Sequence, residues 1–146
     1  MKFWTATAWL TLLVSTATAQ VTGPSTTVPP YLTSRLAGVT TTSLLTVDDT
    51  VTADNGYQLI GIPDGLGVAD GPEMGDSADV FYLFANHELG ANQGAERAHG
   101  GIGAFVSRWR IEKATLRVTD GQDLIQEVFL WDYDLEDWVV SNTTAL

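Results

Sequence analysis

The stretch Asp79-Val80-Phe81-Tyr82-Leu83-Phe84-Ala85-Asn86-His87-Glu88 decides how this chain is read. Val80 to Phe84 are β-branched, aromatic or aliphatic, with no polar break. Such a run predicts a strand buried on both faces. An amide, an imidazole and a carboxylate then arrive together at its end. Strand side chains alternate between faces, so Asn86 and Glu88 are expected on one side and His87 on the other. Chemistry at the end of a rigid element is a common way to build a site.

Downstream, Glu88 to Gly101 is irregular and glycine-rich and carries Arg97 and His99, the composition of a functional loop. Ile102 to Glu112 then alternates. Phe105, Ser107, Trp109 and Ile111 should share one face, and Ala104, Val106, Arg108 and Arg110 the other. Ala114 to Val118 reads as a short strand, Asp120-Gly121-Gln122 as a turn, and Ile125 to Trp131 as a further alternating strand. The tail is acidic and then apolar at Trp138-Val139-Val140.

Upstream, Thr40 to Val47 reads as a strand turned by Asp48-Asp49, and Asn55-Gly56 is a strong turn signal. Tyr57 to Ile62 is expected as the next strand, broken by Pro63-Asp64-Gly65. Asp70 to Ser77 is a polar loop. Residues 20–42, rich in Thr, Ser, Val and Pro, read as a linker and lead-in to a β domain over 43–146.

Residues 1–19 have the form of a secretory signal peptide. Met1-Lys2 is a basic start, Leu10 to Val14 an apolar centre, and Ala17-Thr18-Ala19 a small-residue cleavage signature. A secreted or periplasmic protein with no membrane span after cleavage is expected. Asn142-Thr143-Thr144 is a glycosylation sequon for a eukaryotic secretory pathway.

The 146 residues carry 18 acids against 7 Lys and Arg, a formal charge of −11. Nucleic acid is excluded as a partner, because phosphate backbones need a basic surface. An acidic surplus suits solubility or hard cations held by oxygen. With no cysteine, thiol catalysis and cysteine zinc sites are excluded, and two histidines do not make a multi-histidine metal site.

Several short strands separated by Gly, Asn and Asp turns predict an all-β fold. Two architectures stay open, a partial β-propeller of about two blades and a small β-sandwich. Blades bury their faces on neighbouring blades, and the chain stops just after Val139-Val140, so an incomplete domain is expected.

Asp64, set between Pro63 and Gly65, is either a turn aspartate or a metal ligand. Asn86 and Glu88, two residues apart on one face, offer half a site for Ca²⁺ or Mg²⁺. Arg97 and His99 are candidates for binding an anion, since the arginine fork matches phosphate and carboxylate. His87 is expected to be a structural donor to a backbone carbonyl. No nucleotide phosphate loop, no Gly-x-Ser-x-Gly elbow and no ordered catalytic triad is present.

Gly61 to Gly67 followed by Val80 to Glu88 resembles the "P-D-G, apolar strand, N-H-E" pattern of the PhoX-type alkaline phosphatases. Arg97 to Trp109 resembles the broader set of secreted proteins around them. The similarity runs from about Tyr57 to Trp131. It implies a β-propeller, a site at the axial channel, calcium together with iron, and hydrolysis of phosphate monoesters. Glu88 would be a metal carboxylate, with Asp64 and Asn86 near the metals. The family's cysteine iron ligand has no counterpart here.

Two functions are therefore expected in competition. One is a secreted, metal-dependent phosphate monoester hydrolase that needs more than this chain for activity. The other is a non-catalytic secreted module that binds calcium or a surface partner.

Overall fold

The computed structural model describes residues 19–141. The sequon at Asn142 and all of the signal-peptide reading except Ala19 lie outside the described residues. The described chain is all-β. Its eight strands are β1 (Ala19–Thr22), β2 (Thr40–Ser43), β3 (Pro63–Asp70), β4 (Val80–His87), β5 (Phe105–Glu112), β6 (Val118–Asp123), β7 (Phe129–Asp132) and β8 (Asp137–Val140). One 3-10 turn, Pro72–Met74, interrupts them. They form three open sheets: parallel β1-β2, antiparallel β3-β4-β5-β6, and the hairpin β7-β8.

The four-stranded sheet holds the core. Register sets Phe81 opposite Ile111, Leu83 opposite Trp109, Ala85 opposite Ser107 and His87 opposite Phe105. Paired residues share a face, so the expected alternation of β5 holds. Phe105, Ser107, Trp109 and Ile111 are all buried on the core face. Leu44, Leu45, Ala53, Tyr57 and Leu59 cover that face.

The other face of β4 is only half covered. Tyr82 is buried there beneath Arg108, whose guanidinium lies 5.3 Å above its ring. The Tyr82 hydroxyl donates to Asp76 at 2.7 Å, and Arg110 grips the same carboxylate with Nε at 2.6 Å and Nη2 at 3.2 Å. β4 is thus buried by apolar packing on one face and by a stacked, ion-paired layer on the other.

Four expectations are corrected. Ile125 to Val128 is outside any strand, and β7 starts only at Phe129. Tyr57 to Ile62 is not a strand. Its Tyr57 and Leu59 lie across the sheet as cover, Ile62 is exposed, and the following strand begins at Pro63, where a break was expected. Asp120-Gly121-Gln122 is not a turn but the middle of β6. Gly121 is there because a Cβ would stand 2.7 Å from the Tyr57 ring and 2.8 Å from the Trp109 ring. Ala114 to Leu116 turns the chain, and β6 starts only at Val118.

The segment read as a linker contributes to the core. Ser25 and Thr26 are buried. The Ser25 hydroxyl accepts the Val118 amide at 2.9 Å. Thr26 and Thr27 donate their hydroxyls to Asp49 at 2.6 and 2.7 Å, and the Thr27 amide adds a third bond at 2.7 Å. These donors, the Thr26 hydroxyl foremost, hold the Asp49 carboxyl well below the usual carboxylate range.

Candidate functional site

The strand-end corner forms where β3 meets the end of β4. Pro63 pairs with His87 and Leu66 with Ala85, so β3 carries one extra residue between those pairs. This is a β-bulge, which sets two residues against one and re-aims their side chains. It places Asp64 and Gly65 opposite Asn86, on the face away from the core. Close approach is visible at Gly65, where a Cβ would stand 2.7 Å from Asn86 Nδ2. Glu88 continues the face of Asn86, and its amide donates to the Ile62 carbonyl at 2.8 Å.

Asp64, Asn86 and Glu88 therefore occupy one exposed corner. Neither carboxylate is ion-paired among the described residues. The corner offers three oxygen-bearing side chains, fewer than half of the six to eight oxygens a calcium shell uses. Among the described residues, no three His, Cys, Asp or Glu side chains converge to hold a metal ion.

His87 faces the opposite way, as alternation requires. It is 2% exposed, and its ring stacks on Phe105 at 4.1 Å. Nδ1 lies 2.6 Å from the Ile60 carbonyl and Nε2 lies 2.8 Å from the Ser107 hydroxyl. The carbonyl only accepts, so Nδ1 carries the proton and Nε2 accepts from Ser107. Ser107 in turn accepts the Trp109 indole N–H at 2.6 Å. A serine and a histidine at this distance have the spacing of a nucleophile and its base. Ser107 has no exposed surface, however, so the chain Trp109, Ser107, His87, Ile60 is structural. Burial, with the nearby Arg97 charge adding to it, lowers the His87 pKa and keeps the ring neutral.

Arg97 reaches into the other side of this layer. Its guanidinium lies 3.8 Å over the Phe105 ring, making a stack of Arg97, Phe105 and His87. The side chain is 9% exposed, and Nη1 stands 3.5 Å from Asp123 Oδ1. Asp123 also accepts the Tyr57 hydroxyl and the Ala98 amide, the latter at 2.8 Å. Burial and the Asp123 carboxylate push the Tyr57 pKa up. His99 is half-buried in the same loop, with Nδ1 unpartnered among the described residues.

The sequence-predicted residues thus divide into two places, the exposed corner of Asp64, Asn86 and Glu88 and the loop of Arg97 and His99. Ser107, Tyr57 and Asp123 were not singled out. The lone polar residue on the otherwise apolar face of β5 was the available signal for Ser107. Tyr57 and Asp123 stand 66 positions apart and gave none.

A third feature is apolar. Above the β3 edge runs a groove of about 950 Å³, lined by Pro29, Tyr31, Leu32, Leu45, Leu59 and Leu66 among others. A smaller hollow of about 260 Å³ shares Leu45, Leu59, Pro63 and Leu66 with it and reaches Leu83 and Trp109. Comparison with family models, with curated proteins and with solved structures finds no match for this chain.

Proposed function

We propose that this chain is a secreted, acidic β module that works by binding an extended segment of a partner polypeptide along β3. The carrying observation is the open edge of the four-stranded sheet beside an apolar groove. Among the described residues β3 has a neighbour on one side only, and Leu66 and Val68 are 68% and 69% exposed on its core-facing side. From Leu66 to Ala69 the strand has no lysine or proline, the residues that normally blunt an edge. An added strand would bond to the free backbone groups and drop alternate side chains towards the groove.

Charge selects the partner. Asp64 and Glu88 flank one end of the edge without ion pairs among the described residues, and the chain carries −11 overall. A segment of alternating apolar residues with basic flanks complements this surface, and a second acidic copy does not. A propeller blade would have the same up-and-down order as β3 to β6, and such a unit is completed by neighbouring sheets.

A synthetic peptide of alternating valine and threonine, with lysines at both ends, is expected to bind saturably in calorimetry. Val68→Lys should abolish binding by placing a charge on the edge. Equal binding by wild type and Val68→Lys would sink the proposal. Concentration-dependent dimerisation in sedimentation, lost in Val68→Lys, would instead assign the edge to a second copy.

A second reading keeps the resemblance to the PhoX-type phosphatases, and one observation favours it: the bulge that turns Asp64 onto the face of Asn86 and Glu88. Their oxygens suit part of a calcium shell. Iron is a poorer fit, since no imidazole or thiolate reaches the corner. Calcium is expected to raise the melting temperature of wild type and not of Asp64→Asn/Glu88→Gln. Calcium-dependent release of phosphate from an aryl phosphate would establish turnover, whereas a melting temperature indifferent to calcium would remove the corner as a metal site.

A further inference from the structure

Arg97 and Arg110 present the same chemical edge in two different states. The guanidinium edge formed by Nε and Nη2 carries two nearly parallel N–H bonds, which match the two oxygens of a carboxylate or phosphate. In Arg110 that edge is filled by Asp76, with Nε to Oδ2 at 2.6 Å and Nη2 to Oδ1 at 3.2 Å. In Arg97 both Nε and Nη2 are buried and have no hydrogen-bond partner among the described residues. The acid paired with Arg97 among the described residues, Asp123, meets the opposite nitrogen, Nη1, at 3.5 Å, and its oxygens are already bonded to Tyr57 and the Ala98 amide.

Leaving such donors unbonded is costly, about 1–3 kcal/mol each and more for a charged group. The ring of Phe105 supports the guanidinium plane and fixes its direction. The backbone around it is tied down as well. The Arg97 amide donates to the Gly101 carbonyl at 2.9 Å, and the Gly100 amide donates to the Arg97 carbonyl at 2.8 Å. Within this five-residue loop His99 adds a third unpartnered buried nitrogen, Nδ1.

We propose that Arg97, with His99 beside it, binds an oxyanion through its Nε and Nη2 edge. The ligand class is a carboxylate or a phosphate presented by a small molecule or a side chain. The site is separate from the β3 groove and does not depend on it. Residues 91–96 and Ala98 are exposed while Arg97 Nε and Nη2 are themselves buried, so an anion reaches that edge by displacing part of the loop.

The test uses the full chain at low salt, with inorganic phosphate and acetate as separate probes. Nuclear magnetic resonance of the Arg97 Nε–H gives a readout that needs no substitution. A saturable shift of that resonance with phosphate, with acetate, or with both supports the site and tells the two sources apart. Arg97→Lys keeps the charge but loses the fork, and should weaken binding about ten-fold or more. Arg117→Gln, which removes an exposed arginine paired with Asp54, should leave binding unchanged. An Arg97 Nε–H indifferent to both probes overturns the proposal even if Arg97→Lys does not fold. So does equal affinity in a folded Arg97→Lys.

Discussion

His87 is the structural donor to a backbone carbonyl that its sequence context predicts. Its ring joins the end of β4 to β5 and to the Tyr57–Ile62 cover through Ser107 and the Ile60 carbonyl. Both bonds are made by the neutral ring, and burial lowers its pKa below the ordinary value of about 6.5. Arg97 opposes protonation too, while the Ile60 carbonyl and Asp123 favour it without prevailing. The sign follows. Below about pH 6.5 the unfolded chain takes up a proton that the folded chain refuses, so stability falls as pH drops through that value towards the folded pKa. His87→Gln keeps a donor and an acceptor and does not titrate. Urea denaturation between pH 7 and pH 5 should show wild type losing stability more steeply than His87→Gln. Parallel losses would remove His87 from this role.

At the scale of the element, β6 depends on a glycine. Gly121 lies opposite Trp109 and beneath Tyr57, with no room for a methyl group. Gly121→Ala must displace an indole that is fully buried, and overpacking of this kind costs about 1–3 kcal/mol. The shift should appear in the denaturation midpoint together with a change in Trp109 fluorescence. An unchanged midpoint would mean that the Trp109 layer has slack. The same glycine explains part of what the sequence concealed. Asp-Gly-Gln has the composition of a turn, and only the rings across the sheet reveal why glycine sits inside a strand. β4 and β5 were legible because their own side chains carry the alternation. Tyr57 to Ile62 has strand-like side chains but no sheet neighbour among the described residues, and its Tyr57 and Leu59 cover the core instead. In the candidate site, the face shared by Asn86 and Glu88 was legible from strand alternation. The bulge that turns Asp64 outwards was not, because it is set by register with β4. Nor was the pairing of Arg97 with Asp123, which depends on β6 ending beside the loop.

The whole molecule is uneven in how its parts are held. β5 is bonded on both sides and carries Trp109 and Ile111, both fully buried, while β4 is flanked by β3 and β5. The β7-β8 hairpin stands as its own two-stranded sheet. Its strands are four residues each, and Phe129, Leu130, Trp131, Trp138 and Val140 are exposed. Its main cross-strand contact is the edge-to-face pair of Trp131 and Trp138, with ring centroids 5.6 Å apart. Such a pair adds about 0.5–1.5 kcal/mol beyond area burial. A two-stranded hairpin on its own is marginal in water. Native-state hydrogen exchange should therefore separate the two sheets. Amides of Leu83, Trp109 and Ile111 are expected to exchange only through opening of the four-stranded sheet, and those of Leu130 and Val139 about a hundred-fold faster or more through local opening. If the β3 edge takes an added strand, peptide binding should slow exchange in β3 and leave the hairpin as fast as before. Exchange in β7 and β8 as slow as at Trp109 would show instead that the hairpin belongs to the same cooperative unit, and that the exposed Trp131 and Trp138 already have a partner surface in solution.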